Sequence, residues 1–373
     1  MVILAYIWLS LFALPWAAAQ ERLKANHEST TEKLDKERPA CTGPAADSKS
    51  PQEGKLARWF ELQTATIGVR YRHAGSSAGA TTFSQIQYNE AFQGRVKFDA
   101  AGKYSVNAGA FTGNQFVASW DDTGAGTGKP LTNLYLKQLY FSMKPIAGLE
   151  AQYGGLHILR GESTEITSYD NDGYIVGERL RLNRPKQLFF DEVSVTYAYL
   201  GDLNRPDIFA RFHRLGESNY HQFLVKKKLG SRATVSADYT FQAGTETLHQ
   251  AVKINTAGLR LIDSFRFENY QRLDVKPDYG FAASVEKVLA KRFNLTAGYA
   301  RIDPNYGGLN ADRFNIGKRL YVVGTYALCP EFTVSAYATK AIANHVTLTN
   351  NYRFDLVLNY NMLKSLQRLG IFR

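Results

Sequence analysis

Residues 233–242 read Ala-Thr-Val-Ser-Ala-Asp-Tyr-Thr-Phe-Gln. Ala233, Val235, Ala237, Tyr239 and Phe241 are apolar, and Thr234, Ser236, Asp238, Thr240 and Gln242 between them are polar. Side chains of a strand point alternately to opposite faces, so this stretch is a β-strand with one apolar and one polar face. It is longer than the roughly six residues usual for a strand in a soluble sandwich. Its polar face carries a full charge in mid-strand, and its apolar row closes on two aromatics.

The same texture runs through the chain from residue 57. Ala65, Ile67, Val69 and Tyr71 alternate with Thr66, Gly68, Arg70 and Arg72, and Phe92, Val96 and Phe98 with Gln93, Arg95, Lys97 and Asp99. Further alternating runs start at Glu192, Phe293 and Arg353. Lipid outside and water inside accounts for long strands, charged polar faces and aromatic row ends together.

Composition narrows the class. The 373 residues include 22 Tyr and 22 Phe and carry a net charge of +11. No stretch after residue 20 has the roughly 20 apolar residues of a membrane helix. The patterning and aromatic content exclude a disordered chain. The basic excess alternates with apolar residues along strands, so it lines a lumen and forms no groove for nucleic acid. Cys41 and Cys329, far apart in different contexts, give neither a metal spacing nor a disulfide framework, and both read as structurally neutral.

Residues 1–19 form a short apolar segment broken by Pro15, with Ala17 and Ala19 meeting the small-x-small rule; this reads as a signal peptide cleaved after Ala19. Residues 20–56 are polar, with cancelling charges and Pro39, Pro44 and Pro51, and read as a mobile periplasmic extension. Residues 57–373 are the barrel domain.

Turns of charged, Gly or Pro residues followed by apolar-x-apolar-x-small recur near Lys103, Gly148, Arg232, Arg292 and Glu331. Taken as the tight periplasmic turns of a barrel, they place strands at 62–72, 88–99, 104–113, 132–144, 149–159, 174–183, 190–200, 219–228, 232–242, 247–255, 260–271, 279–289, 293–302, 314–328, 332–341 and 351–361. The expected fold is all-β: a transmembrane antiparallel up-and-down β-barrel of about 16 strands. Residues 204–215 read as loop with a helical turn, and 362–373 as either a closing strand or a short helix on Leu363, Leu366 and Leu369. Were both segments strands, the barrel would have about 18.

In this layout residues 57–361 resemble a bacterial outer-membrane porin of Gram-negative type. The resemblance implies passive diffusion of small hydrophilic solutes, contact with outer-membrane lipid and lipopolysaccharide, no cofactor or metal, and no enzymatic activity. It leaves trimer and monomer both open, with a homotrimer among its implications. It also implies that the third external loop, residues 160–173, folds inward as a constriction. Glu162, Glu165, Asp170 and Asp172 make that loop acidic, while Arg70, Arg72, Arg95 and Lys97 line the polar face of the first two strands. Acid facing base would set a transverse field across the narrowest point. The positive excess of the barrel points to a weak preference for anionic solutes.

Other constellations are less complete. Asp170-Asn171-Asp172-Gly173 has some calcium-loop character, but Glu178 is the only nearby closing carboxylate. The run Thr123–Gly128 lacks the strand–helix frame of a phosphate loop and reads as a mobile external loop. His213 and His221, near Glu217 and Ser218, are the best candidates for a hydrolase at the rim. A rim hydrolase and a structural or adhesive barrel are the alternatives to a pore, and only the pore requires an open lumen.

Overall fold

The computed structural model describes residues 58–116, 118–164, 173–183, 189–256, 261–274, 279–290, 292–303, 317–342 and 351–371. Its strands are β1 (Phe60–Gly75), β2 (Thr81–Lys97), β3 (Tyr104–Thr112), β4 (Asp121–Gly126), β5 (Leu134–Met143), β6 (Leu149–His157), β7 (Tyr174–Asn183) and β8 (Glu192–Tyr199). They continue as β9 (Tyr220–Leu229), β10 (Ala233–Gln242), β11 (Thr245–Asn255), β12 (Ser264–Arg272), β13 (Tyr279–Leu289), β14 (Phe293–Ile302), β15 (Gly317–Ala327), β16 (Phe332–Ala341) and β17 (Tyr352–Asn361). Among the described residues no helix is long and apolar enough to cross a membrane.

Sixteen of these strands form one closed antiparallel wall. Closure is made by β1 and β17, in register from Thr66↔Asn361 to Gly75↔Tyr352. The remaining strand, β4, is an addition. β3 accompanies β2 only from Ala91 to Lys97, and β4 takes the vacated upper edge, pairing Tyr88 with Asp121 and Gln85 with Gly126. The run Thr123–Gly128 is therefore tied to the wall and is not the loose loop expected from its composition. A Cβ on Gly126 would lie 1.8 Å from the carbonyl oxygen of Ser84, and its φ is +89°, so only glycine permits this approach.

The wall is inverted relative to a soluble protein. Val69 is 45 % exposed, whereas Arg70, next along the strand, is 8 % exposed. The same contrast holds for exposed Leu180 against buried Arg179, and for exposed Leu356 against buried Asp355. In water, large apolar side chains are the ones withdrawn. A wall that shows them outward and keeps charge inside is built for hydrocarbon around it and water within it.

The two segments left open resolve differently. The tail forms a helix, α1 (Met362–Arg368), capped by the Asn361 side chain, which accepts from the Lys364 N–H. Arg368 pairs with Glu331 at 2.8 Å, so α1 lies at the β15–β16 turn, at the end of the barrel that carries the tight turns, and β17 closes the barrel. Residues 204–215 contain a single 3-10 turn, Phe209–Arg214. One reading fails outright: Cys329, in the β15–β16 turn, is disulfide-bonded. It is not neutral, and the chain's other cysteine, Cys41, lies outside the described residues. A single pair at such separation has no spacing signature for a sequence to reveal.

Arg211 fastens the β8–β9 connection. Its guanidinium donates to the carbonyls of Leu200, Asp202 and Arg205, and lies 3.5 Å from the Phe116 ring centroid. Burial pushes this guanidinium down to about 10, so the carbonyls hold a charge that water has largely left. Ile208 N–H donates to the Leu136 carbonyl above the last β5–β6 pair, Leu139↔Gly155, which extends the wall there. Arg211→Ala should leave the barrel folded and make residues 201–218 the first site cut by added trypsin. An unchanged digestion pattern would show that the apolar contacts alone hold the loop.

Candidate functional site: the lumen and its crossing segment

The site is the barrel interior, and strand register decides which residues reach it. Through the pairs Arg70↔Gln87, Gln93↔Gly109, Gln152↔Arg179, Ser194↔Leu224 and Asp238↔His249, one continuous polar face runs round the wall. Arg70, Arg72, Arg95 and Lys97 all stand on it.

Each of the four has a partner close by, although the Nε of Arg95 is buried without a hydrogen bond. Arg70 donates to Gln87 Oε1 and sits 4.2 Å from the Trp120 ring centroid. Arg72 and Arg353 share the carboxylate of Asp355. Arg95 and Lys97 share Glu61, at 2.6 and 2.8 Å. Each of these two carboxylates thus serves two cations. Glu61, Asp355 and Trp120 complete the arrangement.

Past His157 the chain leaves the wall. Its last wall residues include Gly154, whose φ of +129° suits a glycine bend. Gln222 on β9 donates to the Leu159 carbonyl at 2.9 Å. Glu162 N–H donates to Ser236 Oγ on β10 at 2.6 Å, and its carboxylate pairs with Lys226 on β9 at 3.0 Å. Thr164 N–H and Oγ1 both donate to Glu268 Oε1 on β12, at 3.0 and 3.2 Å, and Arg266 donates to Thr164 Oγ1. By Thr164 the chain stands against a strand six places round the wall from the one it left. Every anchor is an inward residue, so residues 158–164 run through the lumen.

Glu162 is therefore brought to Lys226. Glu165, Asp170 and Asp172 lie outside the described residues, as do Asp170 and Asn171 of the calcium-like run. Glu178 is on the outward face of β7, opposite Tyr153 and Tyr197. Among the described residues no three acidic, histidine or cysteine side chains converge as a metal site would require. At the rim, Ser218 and His221 are 2.6 Å apart, with His221 stacked between Tyr197 and Phe241 on the outward face. Glu217 does not join them: its carboxylate holds Arg214 at 2.8 Å. His213 stands exposed on the 3-10 turn.

Lys226, Ser236, Arg266 and Glu268 were visible in the sequence only as polar-face residues. Nothing in their spacing tells which loop will cross to meet them.

Two comparisons return nothing: no family model matches the chain, and neither does any curated protein. Solved structures do match. A porin of Rhodopseudomonas blastica, carrying three substitutions, superposes over 81 % of this chain and 99 % of its own, with a TM-score of 0.52 and 9 % identity. The fold is that of the bacterial porins. OmpF of Salmonella typhi, solved in complex with daunomycin, covers 82 % of this chain and 98 % of its own, with a TM-score of 0.55 and 9 % identity. At such identity the porin likeness concerns the fold, and residue roles must come from this chain's own geometry.

Proposed function

We propose that this chain is a porin of the bacterial outer membrane, exported by residues 1–19, through which small hydrophilic solutes diffuse passively with a weak preference for anions. The observation that carries this reading is the inverted wall with a chain segment across its lumen. A structural or adhesive barrel has no use for a polar interior crossed by a tethered loop. Among the described residues no third group orients the imidazole of the Ser218–His221 pair as a hydrolase would need, and Glu217 is held by Arg214.

The anion preference follows from the inward charges. Arg95 and Lys97 share Glu61, and Arg72 and Arg353 share Asp355, two cations to each carboxylate. Arg179 is held by neutral partners: Gln152, Thr196 and the His157 carbonyl. Because these charges line an aqueous path, their effect is screened over about 10 Å at 0.1 M salt. The acidic loop and the basic wall act together as the constriction in this reading.

In planar bilayers the purified barrel should conduct. Its reversal potential in a potassium chloride gradient should favour chloride modestly at low salt and approach neutrality as salt rises. A preference for potassium would overturn the anion assignment, and absence of conductance from a folded barrel would overturn the pore.

A further inference from the structure

We infer that His249 is an acid sensor for the crossing segment: once protonated, it draws the Glu268 carboxylate away from Thr164 and frees residues 161–164 from the wall. The inference rests on the pore reading, because only a segment that narrows a conducting lumen turns this release into a change of flow.

The segment lies along one inward row, Ser236↔Ala251↔Glu268. Ser236 and Glu268 are its anchors, and Ala251 between them is small enough for a backbone to pass over. The fit is close: a Cβ on Gly161 would lie 2.2 Å from Ser236 Oγ. The next inward row toward the loop-bearing end is Asp238↔His249↔Tyr270. His249 is therefore the diagonal neighbour of Glu268, a separation of roughly 7–8 Å that long side chains bridge. It is buried, with its ring 4.4 Å from that of Tyr270 and its Nδ1 3.4 Å from Asp238 Oδ1. Its Nε2 is enclosed and has no hydrogen-bond partner among the described residues.

In the neutral ring Nδ1 carries the proton toward the carboxylate, and Nε2 is an acceptor left idle. An added proton lands on Nε2 and makes a buried, charged donor that must find an acceptor. Among the described residues the charged and titratable groups around it are Asp238 on β10, Arg266, Glu268, Tyr270 and Arg272 on β12, and Glu162 of the crossing segment. Arg272 is held by Asp274 and Glu162 by Lys226, while Lys253, further down β11, stands 4.0 Å from Glu286. Asp238 already faces Nδ1. Glu268 is the carboxylate that remains: it is 1 % exposed, on the same face, and its Oε1 accepts both hydrogen bonds from Thr164. Turning it to His249 gives the imidazolium an anion and takes the acceptor from Thr164. Histidine is the side chain that ordinarily changes charge between pH 5 and 8, so the release is read across that span. His157, at the root of the segment, is bonded to Gln138 at 3.3 Å and serves as the control.

The test follows hydrogen exchange of peptides covering residues 158–164 in the full chain in detergent, at pH 8 and pH 5.5, corrected for the intrinsic pH dependence of exchange. Carboxylates ordinarily titrate below this span. Wild type should exchange about tenfold faster at the lower pH, the factor that one charged hydrogen bond supplies. His249→Gln should lose the step and stay protected at both values, with His249→Asn as the second variant should the first lose its heat-modifiable migration on gels. Glu268→Gln should exchange fast at both values, and His157→Gln should keep the step. Equal protection of wild type at the two pH values overturns the proposal. So does a step that survives in His249→Gln or Glu268→Gln, or one that is lost in His157→Gln. In planar bilayers wild-type open-channel noise should rise with acid in parallel. A barrel that shows the exchange step but does not conduct fails as a pore alone, and a conducting barrel without the step fails as a sensor alone.

Discussion

Deleting residues 163–171 should roughly double single-channel conductance, because the narrowest cross-section of a pore limits its current. The segment leading into this stretch already crosses the lumen, held by Lys226 and Ser236 at Glu162 and by Glu268 and Arg266 at Thr164. Removing the crossing leaves the wall intact, since β6 and β7 pair without it from Leu149↔Leu182 to His157↔Tyr174. Glu268→Ala should give a milder version. It removes the acceptor of two loop hydrogen bonds, each worth about 1.5–3 kcal/mol when one partner is charged. The loop should then fluctuate, and open-channel noise should rise more than mean current. Unchanged conductance in the folded deletion mutant would place the constriction elsewhere, and the roles of Glu162, Glu165, Asp170 and Asp172 would fall with it.

Most of this wall is legible in the chain. The sixteen strand spans read from alternation fall on the sixteen wall strands, because period two with one lipid face and one water face is a strong, local signal. Parity alone sends Arg70 inward and Val69 outward. It fails where the chain carries an extra residue. Between Leu62 and Thr64 the β1–β2 register shifts, and this bulge turns Glu61 inward to meet Arg95. An uninterrupted reading of residues 60–72 puts Glu61 on the wrong face. β4 is hidden for another reason. Its sequence, Asp-Asp-Thr-Gly-Ala-Gly, has little strand propensity, and its place is fixed by backbone bonds to β2, such as Thr127 N–H to the Ser84 carbonyl at 2.8 Å. The anchors of the crossing segment are non-local in the same way. Ser236 and Glu268 announce a polar face, but their partners come from a loop more than seventy residues earlier, which no periodicity connects to them.

Val195→Arg should cost about 2–4 kcal/mol of folding stability in phospholipid vesicles, the penalty for an arginine on the lipid face near the bilayer midplane. Val195 is 49 % exposed and sits mid-strand on β8, between Leu180 (51 %) and Phe223 (47 %) on the adjoining strands. No acid stands in that row; the outward Glu178 lies one row away, opposite Tyr197, and pairing with it would hold both charges inside the apolar band, while the middle of that band is too far from either headgroup region for easy snorkelling. Thr296→Arg is the matched control. Thr296 is opposite Glu286 on the inward face, where water and a carboxylate receive the charge, so its effect should stay within about 1 kcal/mol. Urea titration of both variants, followed by tryptophan emission, gives the comparison. In a barrel surrounded by water, an arginine on an exposed outward position costs almost nothing, and the two variants would unfold together. A large penalty at 195 with little at 296 requires hydrocarbon outside and water inside, the arrangement on which a diffusion pore depends.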